Sequence, residues 1–186
     1  MVAETIPYRF NIQDFHRMGE VGILSGEQHT ELLDGEVVTM APIGTWHAFV
    51  TGRLTRLLIQ GLSDRAVVNA QNPVVLGEYS ELQPDILVLR GPEERYRERH
   101  PTGTDCCWLI EVADSTARHD RERKLPVYAR HGVPEVWLID RQKQRVEIYR
   151  QPITADGRYG IRRSRGTGSV APAAFPDLFI EVPALF

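Results

Sequence analysis

The chain has 186 residues, the length of one domain with a core large enough to stand without staples. A hydrophobic share of 42% and a charged share of 25% are ordinary for a globular protein. No apolar run approaches the roughly 18 residues that span a bilayer, and Met1 to Phe10 lacks a basic stretch followed by an apolar one, so the expectation is a cytoplasmic protein without a membrane segment. A net charge of −3 excludes a strongly basic nucleic-acid coat protein. It does not exclude a nuclease, because local charge matters more than the total. Arginines cluster at Arg95, Arg97 and Arg99, at Arg118, Arg121 and Arg123, and at Arg158, Arg162, Arg163 and Arg165, each cluster being a phosphate track or a solvated face. The only cysteines, Cys106 and Cys107, are adjacent and without metal-ligand spacing. They read as small core residues on opposite faces of a strand.

In chain order, Asn11-Ile12-Gln13-Asp14 predicts a helix start, with Asn11 as cap, Asp14 near the positive end of the dipole, and Phe15 and Met18 on a buried face. Residues 19–28 read as loop. Thr30 to Met40 reads as a hairpin turning at Asp34-Gly35, with Glu31 and Leu33 on one face and Leu32 on the other. Val50, Leu54, Leu57 and Leu58 follow the helical period and predict an amphipathic helix over 45–62, with His47 in its first turn and Arg53 and Arg56 off the stripe. Two short strands follow, at 66–69 and 73–76.

Gln83-Pro84-Asp85 leads into the apolar run Ile86-Leu87-Val88-Leu89, and Trp108 to Ala113 is a second such run interrupted by Glu111. A carboxylate in a core strand is costly unless paired, protonated or bound to a cation, so two of them point to a site. The connection 91–104 is long enough to be functional, or simply mobile. From about Arg118 to His131 a helix is expected, on which Asp120, Lys124 and Tyr128 repeat every four residues and share a face. Pro126 requires that helix to begin near Lys124 or to bend there. Gly132-Val133-Pro134 turns the chain into the apolar strand Glu135 to Asp140, which forms a hairpin with Arg145 to Arg150; Asp156-Gly157 marks a further turn, and the proline-rich tail is short strand and coil.

Magnesium takes oxygen ligands and needs only one or two protein carboxylates, with water and phosphate completing the shell. Asp85 and Glu111 can supply them if their strands are neighbours, and a lysine nearby can stabilise phosphate charge or orient water, a set suited to phosphodiester hydrolysis. The chain has no GxSxG elbow, Walker loop, GxGxxG turn or HExxH helix. A glycosidase would use two carboxylates but leave the lysine unexplained.

Pro84-Asp85 followed by Glu111-Val112-Ala113 resembles the Pro-Asp…(Asp/Glu)-x-Lys signature of the restriction-endonuclease-like superfamily. Together with Glu31-Leu32-Leu33-Asp34-Gly35-Glu36, Thr45-Trp46-His47, Lys124-Leu125-Pro126-Val127-Tyr128 and Gly132 to Asp140, it resembles the Uma family of bacterial restriction-endonuclease-like proteins over about residues 10 to 150. The resemblance implies a single α/β (α+β) domain over 1–186: a mixed central sheet flanked by helices, with extra β-hairpins. It implies a metal-dependent DNA endonuclease using Mg2+, with Mn2+ as substitute, working as a homodimer on DNA. Carried over, Asp85, Glu111 and the Val112 carbonyl would bind the metal and Glu31 would be an auxiliary acid. Lys124 would replace the signature lysine, where this chain has Ala113. His47, Gln83, Tyr128, Arg118 and Arg121 would be candidate substrate contacts. Two rival readings use the same residues: a noncatalytic module that binds nucleic acid or protein, and an interaction protein whose carboxylates pair with arginines.

Overall fold

The computed structural model describes residues 6–25 and 29–186; the start of the Met1 to Phe10 segment and positions 26–28 of the expected loop lie outside the described residues. Helix α1 (Ile12–Glu20) starts at the expected cap: Asn11 Oδ1 accepts from the Asp14 N–H at 2.8 Å, and Asp14 Oδ2 accepts from the Asn11 N–H at 3.2 Å. This reciprocal pair satisfies two backbone donors at the helix start. Strands β1 (Thr30–Leu33) and β2 (Glu36–Thr39) form the hairpin, with Asp34 and Gly35 both at positive φ, as a two-residue turn demands. Helix α2 (Thr45–Leu62) buries Val50, Leu54 and Leu58 and leaves Leu57 half-buried.

Strands β3 (Val67–Ala70), β4 (Val74–Val75), β5 (Glu81–Leu82), β6 (Ile86–Leu89) and β7 (Cys106–Ala113) follow. Helix α3 (Ala117–His119), a π-turn at Asp120–Lys124 and helix α4 (Leu125–Arg130) then lead to β8 (Glu135–Asp140), β9 (Arg145–Ile153), β10 (Arg158–Arg165), β11 (Ser169–Val170) and β12 (Ile180–Glu181). The central sheet has the order β10-β9-β8-β7-β6-β3, a second sheet has the order β2-β1-β5-β4, and β11 pairs with β12. Within the central sheet only β7 and β8 are parallel. A parallel pair requires a crossover, and here the crossover is the α3–α4 segment that carries Lys124.

Alternation along β7 divides the core. Trp108, Ile110 and Val112 pack under α2 and the C-terminal tail, with Trp108 and Trp137 rings 5.3 Å apart. Leu109 and Ala113 face the other way, onto Leu125, Val127 and Tyr128 of α4. Each such large apolar side chain contributes about 1.5–3 kcal/mol by leaving water, so both faces are strongly specified. Glu111, between Leu109 and Ala113, is thereby committed to the α4 face. Cys106 and Cys107 part to the two cores as strand geometry requires.

Pro126 is accommodated by both expected devices at once. It occupies the first turn of α4, where its missing N–H costs nothing, and the turn before it widens to π spacing, with the Leu125 N–H bonded to the Asp120 carbonyl. The 91–104 connection joins the ends of β6 and β7 that lie away from Asp85 and Glu111, so it does not border their cleft. It is also tethered: Asp105 accepts from Arg99 at 2.8 and 3.1 Å and from the Thr102 N–H at 2.9 Å. Among the described residues no helix is long and apolar enough to cross a membrane.

Candidate active site

Antiparallel register brings the two strand carboxylates together. Ile86 pairs with Ile110, and one step beyond the end of β6 the same register sets Asp85 opposite Glu111. There the ladder has run out, and the Asp85 side chain takes over: Oδ2 accepts from the Val112 N–H at 2.7 Å, and Oδ1 lies 2.9 Å from His47 Nε2 at the start of α2. The second sheet supplies Glu31 from β1, whose Oε1 accepts from the Gln83 N–H at 2.7 Å. The crossover supplies Lys124, whose Nζ donates to Glu31 Oε1 at 3.0 Å and to Glu111 Oε1 at 3.3 Å. Tyr128, one turn later, donates to the same Glu111 oxygen at 2.5 Å. These groups line or support a cleft of about 480 Å³, with Asp114 and Asp120 also in its wall.

The electrostatics are those of crowded acids around one ammonium. Burial pushes Glu111 up to about 8, with Asp120, Asp85 and Glu31 adding to the rise and Lys124 opposing it. Burial disfavours the Lys124 ammonium, but Glu111, Glu31 and Asp120 outweigh it and raise its pKa, so it stays charged. Burial, and then the carboxylate of Glu111, raise Tyr128 well above the ordinary phenol range, which keeps its hydroxyl a donor. His47 is raised chiefly by its hydrogen bond to Asp85, against burial. Two buried polar atoms in this group have no hydrogen-bond partner, Glu31 Oε2 and His47 Nδ1.

Sequence expectation and geometry part at several residues. Tyr128 is fully buried behind Glu111, out of reach of a substrate. Gln83 lines the cleft, but its engaged group is the backbone N–H that holds Glu31. His47 spends Nε2 on Asp85 rather than presenting it outward. Arg118 is exposed and paired with Glu122 at 3.0 Å, Arg123 pairs with Glu36, and Arg121 bridges Asp140 and the buried Glu147. Arg121 is therefore a structural residue: the strand carboxylates of β8 and β9 require it, and it is not free to track phosphate. Asp120 was legible in the four-residue repeat with Lys124 and Tyr128, but nothing local to Asp114 marked it as part of the rim.

The Glu147 cluster gives a stability expectation. Burial would raise the Glu147 carboxyl, yet hydrogen bonds from Arg121 and Tyr149 and the charges of Arg121 and Arg162 hold it down at about 2. A depressed carboxyl contributes stability above its unfolded value of about 4.5 and loses it as pH falls toward about 2. Denaturant titrations between those pH values should show stability falling, and Glu147→Gln should flatten that part of the profile. An unchanged profile in the variant would assign the acid sensitivity elsewhere.

A family model named Uma2 and described as "Putative restriction endonuclease" matches residues 12–183. The chain belongs to this family. The match extends past the 150 boundary of the sequence resemblance, so the β9–β10 hairpin and the tail are part of the Uma2 unit. Among solved structures, a crystal structure described as a putative nuclease belonging to DUF820 from Anabaena variabilis is similar at 17% identity and a TM-score of 0.75, covering 95% of this chain and 97% of that one. At that identity the likeness is one of fold. No curated protein matches the chain. The family description gives nuclease as the coarse activity and nucleic acid as the substrate class that goes with it.

Proposed function

We propose that this Uma2 chain hydrolyses DNA phosphodiester bonds as an endonuclease, with Mg2+ as cofactor and Mn2+ as substitute. The observation carrying the reading is the meeting of Glu111 and Glu31 on the Lys124 ammonium in one cleft with Asp85, from four separate segments. The donor set fits a hard cation. Its side-chain ligands are oxygens, Glu31 Oε2 is buried without a partner, and five acidic residues (Glu31, Asp85, Glu111, Asp114 and Asp120) line the cleft with one lysine, Lys124, and two histidines, His29 and His47. Among the described residues no three or more His, Cys, Asp or Glu form a ready cage, so the fit rests on the chemistry of the donors.

Asp85 and Glu111 would hold the ion. The Val112 carbonyl is a fitting third ligand, because the N–H and C=O of one residue leave a strand on the same side and the Val112 N–H already points at Asp85 beyond the end of β6. Glu31 would assist from the side. When bound, the cation polarises the phosphate and acidifies a water. Lys124 brings a fixed positive charge to the phosphate, Tyr128 holds Glu111, and His47 with the Val112 N–H holds Asp85. A homodimer would offer one cleft to each strand of a duplex.

Incubation of plasmid, duplex and single-stranded DNA with the protein in Mg2+, Mn2+ or EDTA tests the reading. Cleavage is expected only with a metal. Cutting in EDTA would overturn metal dependence, and DNA binding without cutting under every condition would establish the noncatalytic module instead.

A further inference from the structure

A groove of about 520 Å³ runs along the exposed side of α2 and adjoins the cleft, since Ile43, Ala70 and Gln71 line both. Its character is opposite to that of the cleft. No acidic residue lines it, and its one charged residue, Arg56, forms no salt bridge among the described residues. Thr51 is 6% exposed and lines the groove, yet its Oγ1 has no hydrogen-bond partner. A buried hydroxyl without a partner is unfavourable, and a ligand in the groove would supply one. Gly52 sits mid-helix, where glycine is a poor helix former, and a Cβ built there meets nothing within 4 Å; the missing side chain leaves the floor open. Gln71 adopts a positive φ of 55° while its N–H donates to the Asp85 carbonyl at 3.1 Å, which ties the near end of the groove to the strand end that carries Asp85.

We propose that this groove binds one unstacked nucleotide of the strand being cut, adjacent to the scissile phosphate. Its base lies against the apolar side chains of Ile43 and Ile59, its phosphate at Arg56, and its polar edge meets Thr51, Gln60 and Gln71. The volume suits a ligand of nucleotide size, and the cation outside an acidic cleft is where a polyanion needs one. The inference rests on the nuclease reading and sharpens its substrate class. Nucleic acid that is single-stranded, flapped or mismatched beside the cut is favoured over continuous duplex, because a paired base must first leave its stack.

The test measures fluorescence anisotropy of a labelled oligothymidylate and of a labelled hairpin duplex in EDTA, with cleavage of single-stranded and duplex DNA in Mn2+ alongside. Gly52→Leu fills the groove at a position with open space, and Arg56→Ala removes the cation from an exposed site, so a failure of one variant to fold leaves the other. Each should weaken oligothymidylate binding by on the order of tenfold and duplex binding by much less. Equal loss on both DNAs, or no loss on either, would overturn the groove assignment while leaving nuclease activity standing. Selective loss in a protein that cuts nothing would leave the groove standing and sink the nuclease reading. A change of oligomeric state in Gly52→Leu by light scattering, with oligothymidylate binding intact, would assign the groove to a second copy of the chain and overturn the proposal.

Discussion

Lys124→Ala should slow DNA cleavage by about 100-fold or more, the usual cost of removing a preorganised group that stabilises developing charge. Lys124 is 1% exposed and supplies the ammonium between Glu31 and Glu111. Its removal also leaves buried carboxylates without their partner, which costs about 3–5 kcal/mol in comparable cases, so the variant should melt at a lower temperature. Metal binding separates the two effects. A lysine that acts on phosphate is not a ligand, so Mn2+ affinity should persist or rise, and added Mn2+ should restore part of the lost melting temperature. Ala113→Lys in the Lys124→Ala background probes whether the two positions serve one spot, since Ala113 shares a strand face with Glu111 and is fully buried in the core under α4. Partial recovery of cleavage is expected, whereas Lys124→Ala cutting at the wild-type rate would refute the role.

Asp85→Asn should reduce Mn2+ affinity by more than the 10–100-fold typical of residues that merely orient a ligand, and should abolish metal-dependent cleavage. Asparagine keeps the shape and an oxygen able to accept from the Val112 N–H, so the end of the ladder survives. What goes is one negative charge. Isothermal titration with Mn2+ and circular dichroism on the same sample check both halves of this expectation. A folded Asp85→Asn protein that binds Mn2+ as tightly as wild type would remove Asp85 from the proposed ligand set.

The residues that do local work are readable in the sequence. Asn11 and Asp14 announce a helix start because a cap is satisfied within four residues, and Asp34-Gly35 announces a hairpin because its positive φ values are a property of the turn itself. The shared face of the crossover is legible in the spacing of Asp120, Lys124 and Tyr128, and the two strand carboxylates stand out because a charge inside an apolar run is costly. Each of these signals is carried by neighbours in sequence.

Tertiary structure decided what those residues meet. Lys124 reaches Glu31 across 93 positions, a contact made by the packing of the second sheet against the crossover, and no local period encodes it. The placing of Asp85 opposite Glu111 follows from strand register, in which a slip of one residue would turn every side chain to the other face. In sequence Arg121 reads as a phosphate contact, one of three neighbouring arginines; its pairing with Asp140 of β8 and Glu147 of β9 makes it a counter-charge to buried carboxylates instead. The chain alone determined which groups could do chemistry, because residue type and local period fix charge and face. Which of them share one cleft, and which are consumed by the core, was settled by contacts between segments far apart in sequence, where burial of apolar surface sets the geometry and the charges must find partners within it.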